Sequence, residues 1–147
     1  MCLTRPILVV VLAAIAACDD PSGPDSRYPG YIRLADLMGP EVSIAQDGTA
    51  VEVVVTTYGL DGCHQNAGED VVVDDRTLTI RPFDRVDHDD GQVCPDEIVW
   101  LEHDVVIEDA EIGVWTVRVL GDTYDGGVTV ADSVVMQFEV TAQPAPE

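Results

Sequence analysis

From residue 31 to residue 142 the chain alternates apolar and polar positions with a period of two, and it sustains no helical period. Short β-branched runs separated by Gly and Asp predict strands and tight turns. An Ile32–Leu34 strand opens the domain. Val42–Gln46 and Ala50–Tyr58 flank Asp47-Gly48, a hairpin signal. In the second run Val51, Val53, Val55 and Thr57 share one face, with Glu52, Val54 and Thr56 on the other. Val71–Val73 and Thr77–Arg81 flank Asp74-Asp75-Arg76, a second hairpin with Leu78 and Ile80 inward and Thr77, Thr79 and Arg81 outward.

Ile98–Glu108 is a long strand with a less regular alternation. Ile98 and Trp100 fall on one face, and Val99, Leu101 and His103 on the other. Val114–Leu120 gathers Trp115, Val117 and Val119, and Ser133–Thr141 gathers Val134, Met136, Phe138 and Val140. The sum is seven or eight short strands. With no helical segment to carry a parallel crossover, the expected fold is all-β, an antiparallel sandwich of two packed sheets. "EIGVWTVRVLG", a Gly-rich turn and "VVMQFEV" resemble the last hairpin of immunoglobulin-like and fibronectin-III-like modules. That resemblance implies an immunoglobulin-like sandwich. Immunoglobulin domains carry a tryptophan between their two bridged cysteines, whereas Trp100 here follows Cys94.

The first 30 residues break the pattern. Arg5 precedes an unbroken apolar run, Ile7–Ala17, of 11 residues. This is shorter than the roughly 18 residues a membrane-spanning helix needs, and it suits the apolar region of a signal peptide. The run ends at Ile15-Ala16-Ala17-Cys18, which resembles the lipobox of bacterial lipoproteins. The resemblance implies cleavage before Cys18 and acylation of that cysteine. It divides the chain into a signal peptide (1–17), a lipidated cysteine with a disordered tether (18–30), a β-sandwich domain (31–142) and a disordered tail (143–147). Asp19–Gly30 contains Pro21, Pro24 and Pro29 and no aliphatic residue, the composition of a solvated linker. The stretches "TTYGLDGC", "LTIRPFDR", "VCPDE" and "GVWTVRV" are likewise similar to small envelope lipoproteins, which implies an exported, membrane-anchored protein.

Composition narrows the function. After the signal, six arginines and no lysine face 28 acids, a net charge of −22. Such a chain does not bind nucleic acid through phosphate contacts. It is repelled by anionic headgroups, so the lipid must make the membrane attachment. Cys2 leaves with the signal and Cys18 carries lipid. Cys63 and Cys94 then remain as a pair in an oxidising compartment, and a disulfide is expected. With His64 they do not make a zinc spacing. The bridge is expected to pin loops or strand ends.

Catalytic motifs are missing. His64, His88 and His103 fit no metal-helix pattern, Ser43 and Ser133 lie outside G-x-S-x-G, and no phosphate-binding glycine loop occurs. His103 sits on a strand, where an orienting or surface role is the common fate. The densest acid run is "DRVDHDDGQVCPDE", Asp84–Glu97, with six acids in fourteen residues. It is not an EF-hand, because glycine comes one residue early and no closing glutamate follows. A looser calcium site there would use Asp87, Asp89 and Asp90. A solvated acidic loop is the alternative. Asp122–Asp132 forms a second acidic loop, and the calcium reading gains if the fold brings both to one end. The sequence therefore reads as a non-enzymatic, lipid-anchored envelope protein without a cofactor. Its sandwich binds a protein or glycan partner or plays a structural part. The alternatives are a small lipid-anchored hydrolase and a calcium-dependent adhesion module.

Overall fold

The computed structural model describes residues 26–89 and 91–142, all strand, turn and loop. Cys18 and Asp90 lie outside the described residues. In chain order the strands are β1 (Tyr28–Pro29), β2 (Tyr31–Leu34), β3 (Glu41–Asp47), β4 (Ala50–Gly59), β5 (His64–Asp74), β6 (Thr77–Val86), β7 (Val99–Ile107), β8 (Gly113–Asp125) and β9 (Val128–Val140). A three-stranded sheet, β3-β4-β7, packs on a six-stranded one built on β6 and β8. In the larger sheet β5 flanks β6 and β9 flanks β8.

The alternation read from the sequence orients the core. Val51, Val53 and Val55 of β4 and Val105 of β7 form the inner face of the small sheet. They meet Leu78 and Ile80 of β6 and Trp115, Val117 and Val119 of β8, all buried. Burying one such side chain stabilises by roughly 1.5–3 kcal/mol. Trp115 also donates its indole N–H to the Glu111 carbonyl at 2.7 Å, and its ring stacks on Phe138 with centroids 6.4 Å apart. The β3–β4 turn pairs Asp47 with Ala50, and Gly48 takes φ 64°, a backbone that glycine adopts without steric cost. At the β5–β6 turn Asp75 takes φ 52°, which a short polar side chain tolerates.

Two expectations are corrected here. The sandwich is not wholly antiparallel, because β8 pairs in parallel with both β6 and β2. Parallel neighbours need a long crossover, usually a helix. Between β6 and β8 the chain instead passes through β7, a strand of the opposite sheet. A strand thus does the work of a crossover helix, so the lack of helical segments did not exclude parallel pairing. The second correction concerns the tether. Tyr28 and Pro29 pair with Asp84 and Phe83 of β6, so the ordered domain begins before residue 31. Gly30 then donates its N–H to the Pro82 carbonyl at 3.0 Å and accepts from the Asp122 N–H at 3.0 Å. This residue bridges β6 and β8.

Candidate functional site

The largest concentration of chemistry is inside the protein. Thr57 on β4, Asp84 on β6 and His103 on β7 are each completely buried. Their strands belong to both sheets, so the group spans the interface. His103 Nε2 lies 3.1 Å from Asp84 Oδ1 and 3.1 Å from Thr57 Oγ1. The Thr57 hydroxyl donates to the Leu101 carbonyl at 3.4 Å. A hydroxyl that donates elsewhere can accept from the ring, as the carboxylate does. The network therefore assigns the Nε2 proton to His103. Its Nδ1 faces Glu69 Oε2 at 3.7 Å, beyond hydrogen-bond length.

A local irregularity brings Glu69 there. The β5–β6 register shifts between Asn66 and Glu69. Gly68 takes φ 89° and donates its N–H to the Asn66 side-chain oxygen at 2.6 Å. The Asn66 amide in turn donates to the Glu102 carbonyl of β7 at 2.5 Å. Such a bulge re-aims the side chains beside it, and this one ties β5 of the large sheet to β7 of the small one.

A hydroxyl, an imidazole and a carboxylate suggest a nucleophile with its base, but the geometry is different. In a catalytic relay the hydroxyl and the carboxylate sit on opposite ring nitrogens. Here Thr57 and Asp84 both lie on Nε2, the carboxylate opposite, Glu69, stands off Nδ1 at 3.7 Å, and the Thr57, Asp84 and His103 side chains are closed to solvent. The cluster links β4, β6 and β7. Asp84 Oδ2, His103 Nδ1 and the Tyr28 hydroxyl are buried with no hydrogen-bond partner among the described residues. Burial first, and then the neighbouring Asp84 charge, push the Tyr28 phenol far above its usual range.

The second cluster surrounds the cysteines. Cys63 and Cys94 form a disulfide with Cα atoms 5.3 Å apart, joining the β4–β5 loop to the long β6–β7 connection. It pins loops, as the position of Trp100 suggested. The Asp61 carboxylate accepts from the Cys63 N–H at 2.9 Å and lies 2.9 Å from His64 Nδ1. Burial works to raise this carboxyl, but the Cys63 N–H and the His64 ring outweigh it and hold it below the usual carboxylate range. Asp61 and the two sulfurs are close enough to surround a metal ion. Bridged sulfurs are not thiolates, however, and thiolate is the ligand form.

The other candidate residues do not converge into a cation site within the described residues. Asp87 and Asp89 are exposed. Asp87 faces Arg85 at 3.7 Å and donates its backbone N–H to the Cys63 carbonyl at 2.9 Å. The Asp89 N–H is taken by the Gln92 side chain at 3.2 Å. Asp122–Asp132 is not a loop. β8 runs to Asp125 and β9 starts at Val128, with Gly126 and Gly127 at the turn. The parallel β6–β8 pairing sends both acidic segments to the same end of the large sheet. Asp132 there is already satisfied by Thr123 at 2.7 Å and Arg33 at 3.0 Å.

Sequence reasoning misses the interior cluster. Asp84 falls within the acidic run, and His103 reads as an orienting or surface residue. The signal is strand phase. Asp84 stands at the same parity as the inward Leu78 and Ile80, and His103 at the same parity as the inward Val105. Comparison of the chain with protein-family models, with curated proteins and with solved structures finds no match.

Proposed function

We propose that this is an exported lipoprotein, anchored in the cell envelope through an acylated Cys18, whose immunoglobulin-like β-sandwich serves as a binding or structural module. The observation that carries the reading is the end of the first apolar run, Ile15-Ala16-Ala17-Cys18, followed at once by a Pro- and Asp-rich segment. The Cys63–Cys94 bridge fits an oxidising compartment outside the cytoplasm. The long β8–β9 hairpin, which carries the residues resembling immunoglobulin-like modules, supports the finer reading of the fold. Binding is favoured over catalysis because the imidazole–carboxylate–hydroxyl group formed among the described residues is enclosed between the sheets. A net charge of −22 for the processed chain leaves membrane attachment to the lipid. Two acyl chains are enough for stable anchoring.

The test is metabolic labelling with palmitate. The wild-type chain should take up label, and Cys18→Ala should not. Equal labelling of both would overturn the anchor.

A further inference from the structure

The outer face of the large sheet carries two arginines that stand outside ion-pair distance of every carboxylate among the described residues. Arg27, Arg33, Arg76 and Arg85 each stand within ion-pair distance of a carboxylate. Arg81 and Arg118 have no such partner among the described residues, although acids outnumber arginines more than fourfold after the signal. Both side chains are exposed and both point away from the core, since Ile80, Val117 and Val119 beside them are buried.

The strand register places them together. Val72, Thr79, Arg118 and Val135 form one row across β5, β6, β8 and β9. Arg81 stands two residues along β6 from Thr79, so it is a diagonal neighbour of Arg118, with backbones on the order of 8 Å apart from the strand spacing and the rise of two residues. Val72 and Val135, at the ends of that row, are 60% and 57% exposed. Two shallow grooves of about 220 and 260 Å³ meet at Arg81 and Leu120. The nearest acids, Asp70, Asp122 and Asp132, line the same grooves. Asp70 pairs with Arg27 at 3.1 Å, and Asp132 is held by Arg33 and Thr123. Burial raises the Asp122 carboxyl, opposed by Arg81.

We propose that this face docks an extended acidic polypeptide segment, with Arg81 and Arg118 each receiving one carboxylate and Val72 and Val135 contacting apolar side chains between them. Charge complementarity selects the partner, because exposed guanidinium groups outside an ion pair match carboxylates with two parallel hydrogen bonds. Spacing selects an extended chain. Side chains at i and i+2 of a strand project from one face about 6.6–6.8 Å apart, close to the separation of the two arginines. The chain's overall negative charge does not forbid the contact, because charges beyond about 8 Å are screened at 0.15 M salt. The inference concerns the folded domain and holds whether or not Cys18 carries lipid.

The test uses the whole exported chain and a fluorescein-labelled peptide of alternating glutamate and valine, read by anisotropy in 0.15 M sodium chloride. Saturable binding is expected. The Arg81→Gln/Arg118→Gln double variant should weaken it about tenfold or more, the scale of losing charge-assisted hydrogen bonds. A peptide with glutamine for glutamate should not bind. Arg76→Gln removes the same charge from the far end of β6 and should bind as the wild type does. Absence of binding, or equal weakening by Arg76→Gln, would overturn the proposal. So would capture of a uronic-acid polysaccharide in place of the peptide. An unchanged thermal melt separates loss of the site from loss of the fold.

Discussion

His103 Nε2 stands 3.1 Å from Asp84 Oδ1, with both side chains completely buried, and this contact joins the two sheets across their interface. Removing one partner of a buried pair leaves the other uncompensated in a medium that solvates charge poorly, at a cost of about 3–5 kcal/mol. His103→Ala should therefore lower the free energy of unfolding in urea by that order. Replacing both residues with leucine should recover most of the loss, because a well-packed apolar pair avoids the desolvation of both groups. A single variant as stable as the wild type would show that the contact carries no weight.

Gly30→Ala tests the same region from the other side. A Cβ at Gly30 would lie 2.5 Å from Thr57 Cγ2 and 2.7 Å from Asp84 Oδ2. Both distances are below contact, and Gly30 is held by backbone hydrogen bonds to β6 and β8. Overpacking of this kind costs typically about 1–3 kcal/mol. Thr57→Ser removes the methyl group that the added Cβ would meet, so the double variant should regain part of the loss. Additive effects of the two changes in urea unfolding would count against the clash.

Much of this architecture was legible because one face of each central strand is apolar. Val51, Val53 and Val55 on β4, and Trp115, Val117 and Val119 on β8, point inward as their alternation required. The legibility ended where backbone alone makes the strand. Residues 64–70 of β5 (HQNAGED) show no apolar alternation, yet they extend the strand through ladder pairing to β6 and a bulge. Tyr28 and Pro29 sit in a Pro- and Gly-rich stretch and still find partners. The interior cluster was hidden for another reason. A single acidic residue on a strand signals solvent unless its partner is known, and the partner of Asp84 comes from a strand 19 residues away across the sandwich. Local pattern reports the phase of a strand. It does not report what stands opposite.

The Cys63–Cys94 bridge closes a sequence separation of 31 residues. Removing a native bridge from a small domain typically costs about 2–5 kcal/mol. The loops it joins are also linked by the Gly62 N–H to the Pro95 carbonyl at 2.9 Å, so they should stay in place near neutral pH without it. The Cys63→Ala/Cys94→Ala variant should keep a wild-type far-ultraviolet dichroism spectrum and unfold at lower urea. An unchanged midpoint would contradict the stabilising role.

Two carboxyls at one end of the large sheet should respond to pH in opposite ways. The Thr123 hydroxyl, acting first, and then Arg33 and the Ser133 N–H, hold Asp132 below the usual range against the opposing effect of burial. Burial raises Asp122, opposed by Arg81. A carboxyl depressed in the folded state adds stability above its unfolded pKa, near 3.9, and loses it as pH falls through the folded value. Asp132→Asn should therefore cost about 1 kcal/mol at pH 7, the scale of its lost hydrogen bonds. That cost should shrink as the solution is acidified below about pH 4. A carboxyl raised in the folded state has the reverse sign. Its favourable contribution is complete below the unfolded pKa and disappears as pH rises through the folded value. At pH 7 the charged Asp122 is a burden, so Asp122→Asn should raise the melting temperature there, and the gain should fade in acid. Melting curves of both variants from pH 3 to pH 8 provide the comparison, and parallel shifts of the same sign would refute the assignment.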